Sequence, residues 1–448
     1  RDSAALRWLA LILLAGAMFC SYIFMDILSP IKDLMWDTKG WDSTAFGTMQ
    51  GSETFLNVFV FFLIFAGIIL DKMGVRFTAI LSGAVMLVGA TINWYALTDM
   101  FAGSNLEVWF NEHLNYIPGF DELGVSPFYK GMPASAKFSA IGFMIFGCGV
   151  EMAGITVSRG IVKWFKGREM ALAMGSEMAL ARLGVATCMI FSPMFARLGG
   201  EVSVSRSVAF GVVLLMIALI MFIVYAFMDK KLDSQTGEAE EKDDPFKLSD
   251  LGKILTDSGF WLVALLCVLY YSAIFPFQKY AVNMLQCNLV FHQVDPTSIW
   301  ASNTITIIQY VIMLVVAACA FASNFSKNKV AKYGLMGAAI VALVVFCYMG
   351  YMRQSAETVF AVFPLLAVGI TPILGNYVDH KGKAATMLVL GSLLLIACHL
   401  TFAFVLPAFK GSEVGGIIVA YITILVLGAS FSLVPASLWP SVPKLVDE

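Results

Sequence analysis

A carboxylate and a guanidinium stand inside two long apolar stretches of the sequence. Glu151 follows "FGCGV", and Arg182 follows "EMALA". A charged side chain at the centre of a bilayer costs roughly 2.5–3.5 kcal/mol, so it usually marks a partner, a substrate or a pathway. An arginine can bind a carboxylate through two hydrogen bonds, and a glutamate can bind an ammonium group. Together, Glu151 and Arg182 are complementary to a small zwitterion.

The same two stretches carry a second pair of opposite charges, Arg159 and Glu177. Glu177 precedes Arg182 by five residues, which is about 140° around a helix. We therefore expect Glu177 to form a structural ion pair with Arg159. The alternative is that all four side chains form one structural network, with Glu151 paired to Arg182.

The segment "YYSAIFPFQKY" adds polar and aromatic candidates for the same binding site. We predict that Tyr270, Tyr271, Gln278 and Lys279 line it. Pro276 lies between the two sets and should kink the helix, because proline has no N–H group. The alternative for the tyrosines is packing, since aromatic side chains bury large areas in membrane helices as well.

The composition explains why these charges are exceptional. The chain is 59% hydrophobic and 13% charged, and its mean hydropathy is +0.81, whereas soluble domains have about 25% charged residues. The net charge of -2 and the lack of a basic run exclude a nucleic-acid partner. The eight cysteines have no paired spacing. Without a metal-ligand cluster or an activated nucleophile, we expect no cofactor, no metal and no enzyme activity.

About 20 apolar residues span a bilayer, and twelve windows of this kind occur, among them Met49–Leu70 and Phe77–Leu97. A charged segment separates the sixth window from the seventh. It divides the chain into an N-terminal six-helix bundle at 1–228, a cytoplasmic linker at 229–258 and a C-terminal bundle at 259–448. Within the linker, "FKLSDLGKIL" has the spacing of an amphipathic helix at the membrane interface.

Two charged turns end apolar stretches, "GIILDKMGVR" from Gly67 and "GNYVDHKGK" from Gly375. If the halves are repeats, Phe260 corresponds to Leu6 at an offset of 254, but the two turns differ by 308. The excess of about 54 residues is the length of a two-helix hairpin. We therefore predict a hairpin inserted at about 298–353, and the last two helices of the repeat are expected beyond Glu448.

These turns resemble the signature of the major facilitator superfamily. The matching residues are Gly67, Asp71, Lys72, Gly74 and Arg76 in the first turn, and Gly375, Asp379, Gly382 and Lys383 in the second. The resemblance implies two pseudo-symmetric six-helix bundles around a central site that opens alternately to either side. It also implies that the turns are conformational latches; the alternative is that their cations only anchor the loops.

Within the superfamily, "GVEMAG", "ARLG" and "YYSAIFPFQKY" are similar to the branch of the lysosomal dipeptide transporter. This similarity implies dipeptide transport, with Glu151 and Arg182 as the substrate-binding charges. The alternatives are a proton-coupled antiporter of organic anions or drugs and, from another class, a membrane sensor or intramembrane enzyme. The expected partners are a small-molecule substrate and the lipid bilayer, with an accessory membrane subunit left open.

The loop charges predict the topology. Lysine and arginine in the short loops fall on one side if the spans alternate, which places the N-terminus in the cytoplasm. The segment from Asp99 to Ser135, rich in acidic and aromatic residues, becomes the largest outward loop. Short loops without a glycosylation sequon in the outward ones indicate a bacterial inner membrane.

Overall fold

The computed structural model describes residues 3–165, 170–236, 252, 255–381 and 383–446, and this part of the chain is α-helical without a β-strand. The helices are α1 (Ala4–Met25), α2 (Lys32–Lys39), α3 (Ser43–Gly51), α4 (Phe55–Phe59), α5 (Phe62–Ala96), α6 (Asn105–His113), α7 (Ala134–Phe165), α8 (Met170–Ala196), α9 (Val204–Thr236), α10 (Ser258–Asn288), α11 (Asn303–Ser323), α12 (Lys329–Met352), α13 (Ala356–Lys381), α14 (Ala384–Leu400) and α15 (Gly415–Val446).

Ten helical segments of the described chain are long and apolar enough to cross a membrane. The prediction of an all-α, multi-pass membrane protein is therefore confirmed. Their exposed faces carry large apolar side chains, as expected for helices that contact lipid rather than water. Helix α6 lies in the predicted outward loop, where Ser104 caps it by accepting a hydrogen bond from the Glu107 N–H at 3.2 Å.

The chain divides into two compact units. Unit 1 contains residues 1–184 and 191–246, and unit 2 contains residues 185–190 and 247–448. Helix α9 continues to Thr236, so Asp229 lies in a buried position of a helix and not in a soluble linker. The start of the predicted linker is corrected accordingly. The predicted amphipathic helix lies almost entirely outside the described residues.

Unit 1 is held together by close helix contacts at glycine. A Cβ atom on Gly89 of α5 would lie 2.4 Å from the main-chain oxygen of Gly142 in α7. A Cβ on Gly142 would in turn lie 2.6 Å from the Gly89 oxygen. Small residues allow helix backbones in a membrane to approach in this way, and the contact then gains its energy from van der Waals packing. The long helices α5 and α7 are thereby fixed against each other.

The predicted span Met49–Leu70 is not one continuous helix. Helix α4 ends at Phe59 and α5 begins at Phe62, and between them Phe61 has a left-handed φ of 56°. The N–H groups of Phe61, Phe62 and Leu63 form no main-chain hydrogen bond within the described residues. The sequence "NVFVFF" has no glycine or proline that would have predicted this interruption.

In unit 2, α11 and α12 form the hairpin that we predicted as an insertion. Arg353, directly after α12, donates to the side-chain oxygens of Gln309 at 2.6 Å and Thr306 at 2.7 Å on α11. The His292 N–H, before the hairpin, donates to the Gln354 side chain at 3.1 Å. The chain therefore enters and leaves the hairpin at neighbouring points.

Candidate functional site

Glu151 and Arg182 lie near the middle of α7 and α8, and both side chains are half-buried in unit 1. Helix α7 buries a face of small residues such as Gly147 and Ala153, which leaves Glu151 between buried neighbours. On α8, a Cβ at Gly184 would lie 2.6 Å from the Phe19 oxygen, so this helix packs closely on α1 two residues beyond Arg182. Both charges therefore occupy the middle of helices that cross the unit.

Arg159 contacts a different carboxylate from the one that we predicted. Its Nη1 lies 2.5 Å from Oδ1 of Asp71, and both side chains are partly exposed. Glu177 interacts electrostatically with Arg182 on its own helix. The expected Arg159–Glu177 pair stays a prediction. The observed pair connects Asp71 of the first charged turn with α7.

The α10 candidates have different environments. Tyr270 is 3% exposed, and its hydroxyl donates to the main-chain oxygen of Phe431 at 2.9 Å. Its ring also stacks on Phe431. These contacts favour the packing role for Tyr270 over cavity lining. Tyr271 and Lys279 are half-buried, whereas Gln278 is 3% exposed. The assignment of Tyr271, Gln278 and Lys279 to a binding site stays a prediction.

One end of unit 1 carries a network of charges, which we call the charged cluster: Asp71, Arg76, Arg159, Lys163, Asp229 and Asp233. Lys163 Nζ lies 2.7 Å from Asp229 Oδ2 and 2.9 Å from Asp233 Oδ1. Arg76 Nη1 lies 2.7 Å from Asp233 Oδ2. The fully buried Asp229 also accepts a hydrogen bond from Trp164 Nε1 at 3.0 Å. The cluster therefore joins α5, α7 and α9.

Gly74 gives the first charged turn its shape. Its φ of 78° and ψ of 170° lie outside the helical region and kink α5 between Lys72 and Arg76. A positive φ is accessible to glycine without the steric penalty of a Cβ atom. Past the kink, Arg76 points to α9, while Asp71 before it meets α7. Lys72 is exposed, and Gly67 has open space around its Cα.

The second charged turn is described only in part. Gly375 and Asp379 lie within α13, but their side-chain surroundings are outside the described residues, as is Gly382 as a whole. Lys383 is exposed and directly precedes α14. A latch role for this turn stays a prediction.

The sequence analysis does not identify Asp229 and Asp233 as site residues, because the charge density around them predicts the start of a linker. A signal was present in "MDKKLD", where the two carboxylates are four residues apart. Residues four apart lie on one face of a helix. Such a pair at the end of an apolar stretch could have been matched to the basic residues Arg76 and Lys163.

Several curated proteins are similar to this chain at low identity. The lysosomal dipeptide transporter MFSD1 of Homo sapiens is 21% identical over 451 residues, which is 99% of this chain and 74% of that protein. Its counterpart from Bos taurus is 23% identical over 316 residues, which is 69% of this chain. The match with the bovine protein spans about half, 52%, of that relative's length.

The chain is also similar to solved structures of peptide transporters and matches a family model. The crystal structure of the peptide transporter POT in complex with sulfate has a TM-score of 0.48 and 12% identity, covering 98% of this chain and 84% of that one. Tetrameric PepTSo2 has a TM-score of 0.43 and 15% identity, covering 98% and 94%. The family model described as Major Facilitator Superfamily matches residues 14–363. The chain therefore belongs to the Major Facilitator Superfamily and is a membrane transporter rather than an enzyme.

Proposed function

We propose that this transporter moves small zwitterionic organic solutes, above all dipeptides, by alternating access. The observation that supports this proposal is the half-buried pair of opposite charges, Glu151 and Arg182, each midway along its helix. An extended dipeptide separates its terminal charges by roughly 5–7 Å. Arg182 would hold the carboxylate and Glu151 the ammonium group. The relatives are named dipeptide transporters, which supports the same substrate class.

The residues of α10 and the charged turn around Gly74 have different roles in the proposed transport. Tyr271, Gln278 and Lys279 on α10 are proposed as further substrate-binding residues, while Tyr270 has a packing role because its hydroxyl donates to the Phe431 oxygen. The charged turn around Gly74 would act as a latch, because its contacts to α7 and α9 can favour one of two conformations.

We also propose that the N-terminus lies in the cytoplasm. Trp8 in the first turns of α1 packs edge-to-face on Phe165 at 5.8 Å, and Phe165 lies at the end of unit 1 that carries Lys163. Lysine and arginine near the ends of membrane helices are enriched on the cytoplasmic side. A bacterial inner membrane remains our proposal for the compartment; the curated relatives are named lysosomal.

Uptake of labelled dipeptides into proteoliposomes tests the substrate. For Arg182→Ala we expect saturable uptake to fall about 10- to 100-fold, since hydrogen bonds to charged groups contribute about 1.5–3 kcal/mol. Arg182→Lys should be intermediate, because lysine keeps the charge and loses the two-point geometry. Arg197→Ala changes an exposed arginine just beyond α8 and serves as the matched control.

Either of two results would contradict the proposal. If the folded wild-type protein takes up no dipeptide, the substrate assignment fails. If Arg182→Ala transports as well as Arg197→Ala, Arg182 does not hold the substrate carboxylate. Competition by organic anions and abolition by a protonophore would then identify the proton-coupled alternative.

A further inference from the structure

A polar cavity lies in unit 1, away from Glu151 and Arg182. It has a volume of about 460 Å³ and is formed by the end of α2, the segment after α5 and the turn between α8 and α9. Along α9, its residue Arg206 is roughly 35 Å from Asp229 in the charged cluster, at 1.5 Å per residue. Along α8, the cavity is at least roughly 20 Å from Arg182. It is therefore distinct from the proposed central site.

The cavity is lined by two cations and two carboxylates, Lys39, Arg206, Asp99 and Glu201. Lys39 Nζ lies 3.9 Å from Asp99 Oδ1, at the outer limit of an ion pair, and the Asp99 side chain is fully exposed. Arg206 donates to the main-chain oxygen of Glu201. Within the described residues, Arg206 and Glu201 form no ion pair with another side chain.

The backbone positions these charges. Gly199 and Gly200 both have positive φ, 84° and 85°, so the α8–α9 turn reverses tightly. The Ser203 N–H donates to the Ala196 oxygen at 2.8 Å and closes the turn. Arg206, in the first turn of α9, is thereby held next to Glu201 at the rim of the cavity.

From this arrangement we propose that the cavity is a peripheral binding site for a small zwitterion, with its anionic group at Arg206 and Lys39 and its ammonium group at Glu201 and Asp99. An unpaired guanidinium can bind a carboxylate or a phosphate, and two carboxylates can bind an ammonium. The inference rests on the proposed function, because a dipeptide captured here would be the substrate on its way to the central site. A zwitterionic lipid headgroup has the same charges and is the other source of the ligand.

The first test measures uptake of labelled dialanine into proteoliposomes by the full chain. Arg206→Gln and Glu201→Gln should each raise the half-saturating concentration about three- to tenfold and leave the maximal rate unchanged. Lys130→Gln changes an exposed lysine between α6 and α7, outside the cavity, and is the charge-matched control for Arg206→Gln. Half-saturating concentrations of both cavity variants equal to that of the control would overturn the proposal.

The second test separates the cavity from the central site. Equilibrium binding of labelled dialanine to Arg182→Ala, in bilayers of phosphatidylglycerol, should retain one site per chain, and adding Arg206→Gln should remove it. No binding by Arg182→Ala would overturn the proposal. If the wild type shows no uptake but Arg206-dependent binding persists, the proposed transport function fails and the peripheral site stands.

The bilayer composition distinguishes the two sources of ligand. Phosphatidylethanolamine carries a phosphate and an ammonium, whereas phosphatidylglycerol has no cation. If the cavity serves free peptides, Arg206-dependent dialanine binding should be equal in both lipids. If phosphatidylethanolamine abolishes that binding, the headgroup occupies the cavity; both results support a zwitterion site and identify its natural occupant.

Discussion

At the scale of single residues, Gly74 shows how one backbone angle determines the partners of several charges. Its φ of 78° lies inside what is otherwise one 35-residue helix. Without this kink, α5 would continue as a straight helix, and Asp71 and Arg76 would project about 140° apart from one axis. With the kink, the two side chains meet α7 and α9 separately.

We expect Gly74→Ala to destabilise the protein by about 1–3 kcal/mol, because a Cβ atom makes a backbone with φ of 78° and ψ of 170° unfavourable. Gly67→Ala is the matched control, since Gly67 has open space and an ordinary helical backbone; there alanine should be neutral or stabilising by up to about 1 kcal/mol. Thermal unfolding of the two purified variants in one detergent measures the difference. Equal unfolding temperatures would show that the kink imposes no constraint.

Residue types and spacing located the charged side chains within the long apolar helices, but not their partners. Glu151, Arg182 and the Asp71 turn could be recognised because charges in apolar stretches are costly. The partner of Arg159 could not, because Asp71 is 88 residues away and the two meet only through the packing of α5 on α7. For Tyr270, the sequence could not predict that the Phe431 oxygen accepts its hydroxyl.

At the scale of helices, the charged cluster connects α5, α7 and α9 through both exposed and buried contacts. Asp229 is fully buried, whereas Asp71 and Arg159 are about one-third exposed. An exposed pair contributes only about 0–1 kcal/mol to stability, while breaking a buried pair costs about 3–5 kcal/mol. The Asp71–Arg159 contact can therefore break and reform without unfolding the unit, as a latch requires.

Charge exchange tests the latch. We expect Asp71→Asn and Arg159→Gln each to change the rate of dipeptide uptake several-fold while thermal stability changes by less than about 1 kcal/mol. The double variant with Asp71→Arg and Arg159→Asp should recover most of the uptake, because the pair can form in reverse. If both single variants transport normally, the charges are only anchors of the loop.

Composition alone does not predict the residues at which the membrane helices end. Apolar windows located the long helices, because a membrane span must be apolar over about 20 residues. They did not predict the extension of α9 to Thr236, because its last turns carry Asp229, Lys230 and Lys231. These charges are paired or exposed at the helix end, and the helix continues through them.

At the scale of the whole molecule, the hairpin of α11 and α12 is the segment that we predict to be an addition to a repeated design. It is fastened at one end by Arg353, which connects the two helices. Its chain ends meet at His292 and Gln354. The repeat offset predicts the same segment as an insertion. We therefore propose that transport does not require it.

Excision tests this proposal. Residues 294–352 can be replaced by a short Gly-Ser linker, because the flanking residues are already in contact. We expect dipeptide uptake per folded molecule to stay within about twofold, with a lower unfolding temperature because part of α13 loses its packing partner. A second variant, Arg353→Met, should loosen only the end of the hairpin, measured as faster hydrogen exchange there. Loss of uptake in the folded, excised protein would make the hairpin part of the transport mechanism.

The interruption at Phe61 has a consequence for the membrane around the protein. Within the described residues, the N–H groups of Phe61, Phe62 and Leu63 at the start of α5 have no main-chain partner, and hydrocarbon would offer them no acceptor, at a cost of several kcal/mol for each group. We therefore expect water to reach these N–H groups beside Phe61 and to hydrate the bilayer locally. Deuterium should exchange at these amides much faster than in the flanking turns of α5. The backbone of the apolar run "VFVFF" would then be hydrated, although its side chains are all hydrophobic.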